Sequence, residues 1–177
     1  SRSGVDYMEI GYKSSEKYFS RSDNGAWKFC SEDDLKRIVG GQDNPYGIAV
    51  DATDVYWSNA DAGTIMTASK NGGAATERSS GQAYPLQVVL DATYVYWTNI
   101  NGVTVMRVPK GGGVPTAIAS GTPSPAGLVV DGTRAYWTTY SNPGTVNSVP
   151  IGGGAVTPLA SGQNLPAGIA TDGASLY

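Results

Sequence analysis

Four aspartates recur at nearly even spacing and are the first candidates for chemistry: Asp51, Asp91, Asp131 and Asp172. A ring of carboxylates could hold a metal ion. Each aspartate, however, opens an Asp-Ala-Thr, Asp-Gly-Thr or Asp-Gly-Ala sequence, where its carboxylate can accept hydrogen bonds from nearby backbone N–H groups. A metal site would need only one special repeat, so recurrence in every repeat favours the turn. We therefore predict four turn caps, no metal site and no cofactor.

Other groups that carry catalysis are missing or poorly placed. The sequence contains no histidine, which excludes Ser-His-Asp and Cys-His arrangements, imidazole bases and the usual catalytic zinc sites. Cys30 is the only cysteine, and its alignment with Ala68 indicates a small buried side chain. The glycine run after Lys110 lacks the Gly-Lys-Ser/Thr spacing of a phosphate-binding loop and indicates a hairpin turn. We predict no catalytic residue and expect that the chain is not an enzyme.

These candidates belong to a repeat of about 40 residues. The tyrosine of each Tyr-Trp pair lies at Tyr56, Tyr96 and Tyr136, and Tyr177 holds the same place in an incomplete copy. A proline precedes each tyrosine in the same register, at positions 45, 85, 125 and 166. Two markers with one spacing indicate internal repeats. We predict a single repeat region over residues 1–177, with a diverged repeat 5–45, repeats 46–85, 86–125 and 126–165, and a partial repeat 166–177.

Each repeat is predicted to form four short antiparallel strands, which are bounded by turn residues. In the repeat 46–85 these strands are Gly47–Val50, Val55–Ser58, Thr64–Ala68 and Ala75–Ser79. The diverged repeat is predicted to have its third and fourth strands at Ala26–Cys30 and Leu35–Val39. Four-stranded repeats of this length are typical of an all-β fold, the β-propeller, whose blades stack around a channel. A solenoid is the alternative, but it would give shorter strands and fewer turns per repeat.

The motifs resemble those of known propellers. Val95-Tyr-Trp-Thr98, with Asp91 five residues before Tyr96, resembles the YWTD repeats of the low-density-lipoprotein-receptor class and is similar to NHL-like and lactonase-like bacterial propellers. With the triple-glycine turns and Leu159-Ala-Ser-Gly-Gln163, it looks most like the extracellular repeat proteins of myxobacteria. One departure is that the aspartate of YWTD is replaced by asparagine or threonine in the three complete copies.

The resemblance implies a β-propeller of four-stranded antiparallel blades within a six-bladed ring. About four and a half repeats do not close such a ring, so three arrangements remain open. The chain is part of a larger ring, or copies associate through their open blade edges, or four blades close on a strained ring. We favour the first, because the sequence stops within a strand.

The resemblance also implies a binding face, which the links between blades share with the loops between second and third strands. Trp57, Trp97 and Trp137 are predicted to form the core between blades rather than sugar-stacking platforms, since each would bury roughly 150–250 Å². The candidate binding residues are polar or aromatic side chains on that face that differ between repeats: Arg21, Asp23, Tyr46, Asn59, Asp61, Tyr84, Asn99, Asn101, Tyr140 and Asn142.

Composition limits the possible partners. A net charge of −3 argues against nucleic acid, and no apolar run approaches the ~20 residues of a membrane span. Lightly charged, glycine- and threonine-rich repeats lead us to expect a secreted or cell-surface protein, with the periplasm as a further location. The first hypothesis is a non-enzymatic bacterial binding or scaffold module for a protein or other macromolecule. The alternatives are a carbohydrate-binding lectin and a metal-dependent lactonase- or lyase-type propeller enzyme.

Overall fold

The computed structural model of the protein describes residues 18–21, 27–30 and 38–177, with side chains from residue 38 onward. Every regular element in these residues is a β-strand. No helix in this part of the chain is long and apolar enough to cross a bilayer. The strands are β1 (Tyr18–Arg21), β2 (Trp27–Cys30), β3 (Pro45–Val50), β4 (Asp54–Asn59), β5 (Thr64–Ser69), β6 (Thr76–Ser79), β7 (Pro85–Leu90), β8 (Tyr94–Asn99), β9 (Thr104–Pro109), β10 (Thr116–Ser120), β11 (Pro125–Val130), β12 (Arg134–Thr139), β13 (Gly144–Pro150) and β14 (Thr157–Gln163).

Three sheets follow the same plan, in which four antiparallel strands pair in chain order. We call them blade 2 (β3–β6), blade 3 (β7–β10) and blade 4 (β11–β14), whereas β1 and β2 form a separate two-stranded sheet. The register repeats too: Pro45 pairs with Asn59 in blade 2, and Pro85 pairs with Asn99 in blade 3. The prediction of an all-β fold with four-stranded antiparallel blades is therefore confirmed.

The predicted strands of residues 46–85 agree with β3–β6 to within two residues. In the diverged repeat, β2 agrees with the predicted third strand, but Ile38 and Val39 lie in irregular structure. The predicted fourth strand is therefore wrong for these two residues. Ile38 packs as a buried side chain in the cluster around Trp57 instead, and the rest of that strand lies outside the described residues.

Adjacent blades pack through the Tyr-Trp pair in the second strand of each blade: the tyrosine faces the following blade and the tryptophan faces the preceding one. Tyr96 of blade 3 packs in a cluster with Leu128, Trp137 and Val149 of blade 4. Tyr56 of blade 2 packs in the same way with residues of blade 3, including its tryptophan. All three repeat tryptophans have no exposed surface, which confirms their prediction as core between blades. Burying about 200 Å² of an indole contributes roughly 5 kcal/mol at about 25 cal/mol per Å².

A hydroxyl group after each tryptophan ties the innermost strands together. Ser58 Oγ accepts a hydrogen bond from the Gly47 N–H at 2.9 Å and donates to the Leu86 carbonyl of the next blade at 2.6 Å. Thr98 and Thr138 repeat this arrangement and donate to the carbonyls of Ala126 and Ala167 at 3.0 and 3.1 Å. These bonds hold β3, β7 and β11 side by side and so fix the positions of the residues at their ends.

Candidate functional site

The recurring aspartates cap turns. Asp51 Oδ1 accepts hydrogen bonds from the backbone N–H groups of Thr53 and Asp54 at 3.0 and 2.9 Å. The same two bonds form at Asp91, Asp131 and Asp172. The prediction of four turn caps is confirmed. In the part of the chain that the structure describes, no group of three or more His, Cys, Asp or Glu side chains is placed to hold a metal ion.

The second oxygen of these carboxylates also has a hydrogen-bond partner. The Tyr96 hydroxyl donates to Asp91 Oδ2 at 2.6 Å, and Lys110 Nζ lies 2.9 Å from Asp51 Oδ2. Burial raises the pKa of Asp91, but the hydrogen bonds from the Tyr96 hydroxyl and the turn N–H groups outweigh it and hold that pKa below its usual value. Burial and the bond to Asp91 raise the pKa of Tyr96. The carboxylate and the neutral phenol, joined by this bond, stabilise the turn.

The opposite ends of the blades carry the links between blades and the loops between second and third strands. The Ala60 N–H of such a loop donates to the Asn44 carbonyl of a link at 2.9 Å, and equivalent bonds of 3.2 and 2.8 Å form in the next two blades. The residue before each recurring proline takes a left-handed backbone conformation, with φ of +50° at Asn44 and +59° at Tyr84. Links and loops therefore share one face, as the resemblance implied, and we call it the loop face.

Two predicted binding residues are buried beneath this face. Asn59 and Asn99 are only 5% and 4% exposed. The Asn99 amide donates to Gln82 Oε1 at 2.8 Å, and the indole N–H of Trp97 donates to the same oxygen at 3.1 Å. Gln42 plays the same part for Asn59. The side chains of these two asparagines are therefore buried, and each is bonded to the link that precedes its blade.

Sequence reasoning missed the two glutamines of this network. Gln42 and Gln82 lie in the links between blades, each in a Gly-Gln step before the recurring proline. A Gly-Gln step is also common in ordinary turns, so its recurrence alone did not distinguish a turn residue from a buried hydrogen-bond acceptor. The relevant signal is that an asparagine follows each of these glutamines at a fixed distance, whereas at the equivalent positions of the next copy Thr139 follows Thr122.

The loop face has a cleft of about 440 Å³ at the ends of the innermost strands. Tyr46 stands at one side with 63% of its surface exposed, and Tyr140 is 48% exposed. None of the lining residues is acidic or basic. The lining consists of Tyr46, Leu86, Gln87, Ile100, Ala126, Gly127, Tyr140 and Ala167. The structure therefore brings two predicted binding residues, Tyr46 and Tyr140, to one neutral cleft.

The other predicted binding residues lie on the loop face outside the cleft. Tyr84 is half-buried, and its hydroxyl accepts a hydrogen bond from Asn44 Nδ2 at 3.3 Å. Asp61, Asn101 and Asn142 are exposed in the loops between second and third strands. The side chains of Arg21 and Asp23 lie outside the described residues. The cleft residues that sequence reasoning missed are aliphatic or glycine, apart from Gln87, and carried no signal of binding.

Solved structures with this architecture are β-propellers. The chain aligns with a structure of the nidogen/laminin complex at 24% identity and a TM-score of 0.65, over 71% of this chain and 51% of that chain. It aligns with a catalytically inactive virginiamycin B lyase from Staphylococcus aureus with quinupristin at 16% identity and a TM-score of 0.64, over 86% and 52%. It also aligns with the computationally designed Ika4 protein at 16% identity and a TM-score of 0.65, over 75% and 82%.

These likenesses show the fold alone, and the chain spans about half the length of the first two structures. No protein-family model and no curated protein sequence matches the chain. The repeats and the propeller neighbours together make this chain a β-propeller repeat protein.

Proposed function

We propose that this β-propeller repeat protein is a non-enzymatic binding module that takes part of a protein or other macromolecule into the cleft of the loop face. The observation that carries the proposal is the pair of exposed tyrosines, Tyr46 and Tyr140, beside an uncharged apolar lining. The volume of about 440 Å³ lies within the range of ligand clefts in proteins. Such a lining favours neutral groups, because a charged group entering it would lose hydration without gaining a partner.

Tyrosine suits a binding role at this place. Its ring supplies a large rigid surface, its hydroxyl supplies a hydrogen bond, and little conformational entropy is lost on binding. The innermost strands that carry the lining are held by the Ser58, Thr98 and Thr138 bonds, so the cleft is preformed. The nidogen/laminin structure supports a protein as the partner by analogy of fold.

Selection of peptides from a phage-displayed library tests this function. We expect neutral peptides with aromatic or aliphatic side chains to bind, and their affinity to fall about tenfold or more in the double variant Tyr46→Ala/Tyr140→Ala. Tyr84→Ala is the matched control, since Tyr84 lies on the same face outside the cleft. Failure to enrich any peptide, or an equal loss with Tyr84→Ala, would contradict the proposal.

The two alternative functions have their own readouts. Exposed tyrosine rings would also stack on sugars, so a glycan array tests the lectin function. Binding to the array that depends on Tyr46 and Tyr140 would replace the peptide hypothesis.

The second alternative is a metal-dependent propeller enzyme, because lyases are among the solved structures that the chain resembles. Stabilisation of the purified protein by Ca²⁺ or Mg²⁺ in a thermal melt would favour it.

The proposal places the module on a secreted, cell-surface or periplasmic bacterial protein of the myxobacterial repeat type. The support is the light charge of the repeats and the recurring Ser-Gly-Gln and triple-glycine turns. Fractionation of the source cells with an antibody against this chain tests the location. Recovery of the protein in the cytoplasm alone would contradict it.

Self-association is proposed through the face of blade 4 that points away from blade 3. Ile118 of blade 3 is 4% exposed against blade 4, whereas its equivalent in blade 4, Leu159, is 49% exposed. A second copy that covers this apolar face would give a sedimentation coefficient that rises with protein concentration, whereas further blades of a larger ring would cover the face without such a rise. Leu159→Glu should abolish the rise, and Val114→Glu, at an exposed hairpin position, should not.

A further inference from the structure

One position of the innermost strands breaks the repeat pattern inside the cleft. Two residues after the recurring proline the chain has Gly47, Gln87, Gly127 and Gly168. A Cβ atom on Gly47 would overlap the Leu86 carbonyl oxygen, and one on Gly127 would overlap the Ala167 carbonyl oxygen. Glycine is therefore required at these two positions because the next blade approaches the backbone closely.

Gln87 shows that the seam between β7 and β11 accommodates a side chain. The Thr98 hydroxyl still bridges this seam, accepting from the Gln87 N–H at 3.3 Å and donating to the Ala126 carbonyl at 3.0 Å. The Gln87 side chain is half-buried and lines the cleft. Within the described residues its carboxamide makes no hydrogen bond, unlike those of Gln42 and Gln82. The amide is therefore available to a ligand.

Chemistry limits what this amide would recognise. A carboxamide offers two donors and an acceptor without charge, which complements another amide. Around it lie aliphatic side chains, including Leu86 and Ile100, against which the many hydroxyls of a sugar ring would lose hydrogen bonds to water. An aromatic or aliphatic group joined to a neutral amide, as in an uncharged peptide segment, satisfies both parts of the lining.

We propose that Gln87 is the specificity-determining residue of the cleft and selects peptide ligands through a hydrogen bond to a neutral amide. This inference rests on the proposed binding function of the same cleft. The tyrosines supply the contact surface, and Gln87 decides which polar group is accepted between them. An ester or a carboxylate in place of the amide loses a donor or brings a charge into an uncharged site.

Titration of the full chain with three matched probes, followed by ¹⁵N–¹H NMR, tests the assignment. The probes are 3-phenylpropanamide, methyl 3-phenylpropanoate and 3-phenylpropanoate, which share one aromatic skeleton and carry a neutral amide, an ester and a carboxylate with no second amide. We expect the amide to shift the Gln87 side-chain resonances and to bind about tenfold more tightly than the ester, the usual worth of one such hydrogen bond, with the acid weakest. In Gln87→Leu the amide should lose this advantage and bind no more tightly than the ester. Gln163→Leu, at an exposed glutamine outside the cleft, should change nothing.

The outcomes separate the two proposals. Equal binding of amide and ester, or amide binding unaffected by Gln87→Leu, overturns the role of Gln87 and leaves the binding cleft in place. Silence of all three probes overturns both proposals for this cleft. Shifts produced by methyl α-glucoside but by none of the three phenylpropanoyl probes would assign the cleft to glycans and overturn the peptide specificity. Because the probe series runs on the unaltered protein, the result does not depend on folding of the variant.

Discussion

Blades 3 and 4 have the same strand order and the same pairing of first and second strands, yet they differ at both faces. Toward the preceding blade, Trp97 and Trp137 are both fully buried, but only the Trp97 indole N–H has a hydrogen-bond partner. Toward the following blade, Tyr96 is fully buried whereas Tyr136 is half-buried. The apolar positions therefore define the blade, while the polar contacts vary from one blade to the next without changing its shape.

The polar residues beside the tryptophan change as a set. Gln82 and Asn99 of blade 3 correspond to Thr122 and Thr139 in blade 4. The Thr139 hydroxyl accepts from the Thr145 N–H at 2.8 Å, and the Thr122 hydroxyl donates to the Val103 carbonyl at 3.3 Å. The shorter side chains thus satisfy themselves locally and leave the indole N–H of Trp137 without a partner. One donor left unpaired in a buried place costs about 1–3 kcal/mol.

The largest expected effect comes from removing the network of blade 3. Gln82→Ala leaves the Trp97 indole and the Asn99 amide short of an acceptor in a buried site, so we expect the free energy of unfolding to fall by about 2–4 kcal/mol. Thr122→Ala, at the equivalent position of blade 4, loses one weak hydrogen bond and should cost about 1 kcal/mol. Urea denaturation of the two variants measures the difference. Equal losses would show that the two links contribute alike.

A smaller effect is expected from giving blade 4 the acceptor that it lacks. Thr122→Gln places a carboxamide oxygen within the link beside Trp137, and we expect a gain of about 1 kcal/mol. The same change in a Trp137→Phe background removes the donor and serves as the control, so the gain should vanish there. A stability change of the same size in both backgrounds would mean that Thr122→Gln acts through packing rather than through the indole.

The repeat made the fold predictable, and it also limited the prediction of the site. Asp91, Tyr96 and Trp97 recur in register, so their roles in the turn and the core followed from spacing. Asn99 looked like a loop contact because sequence does not show that the residue at the end of β8 turns inward to Gln82. Tyr46 and Tyr140 meet at one cleft only because three innermost strands lie side by side, which depends on bonds such as that of Ser58.

The smallest effect concerns the turn aspartates and appears as a pH dependence. The pKa of Asp91 is lowered in the folded protein, because the Tyr96 hydroxyl and turn N–H bonds outweigh burial; that of Asp131 is lowered in the same way with Tyr136. A depressed carboxyl pKa stabilises the fold above the ordinary value of about 3.8, and this contribution is lost as the pH falls through the folded pKa. Asp91→Asn should therefore be less stable than the parent at pH 7, with a gap that stays constant down to about pH 4 and narrows below it.

Asp131→Asn should show the same trend with a smaller gap, since Asp131 is exposed and Asp91 is half-buried, and solvent screens the exposed charge more strongly. Urea denaturation at pH 7, 4 and 2 measures both gaps against the parent, in which the contributions of the other carboxylates are the same. A gap that stays constant with pH would show that the aspartates contribute through turn geometry alone. Tyr96 packs against the following blade, whereas Tyr136 has less such contact. A larger gap at Asp131 than at Asp91 would therefore mean that this packing does not strengthen the bond between tyrosine and aspartate in the turn.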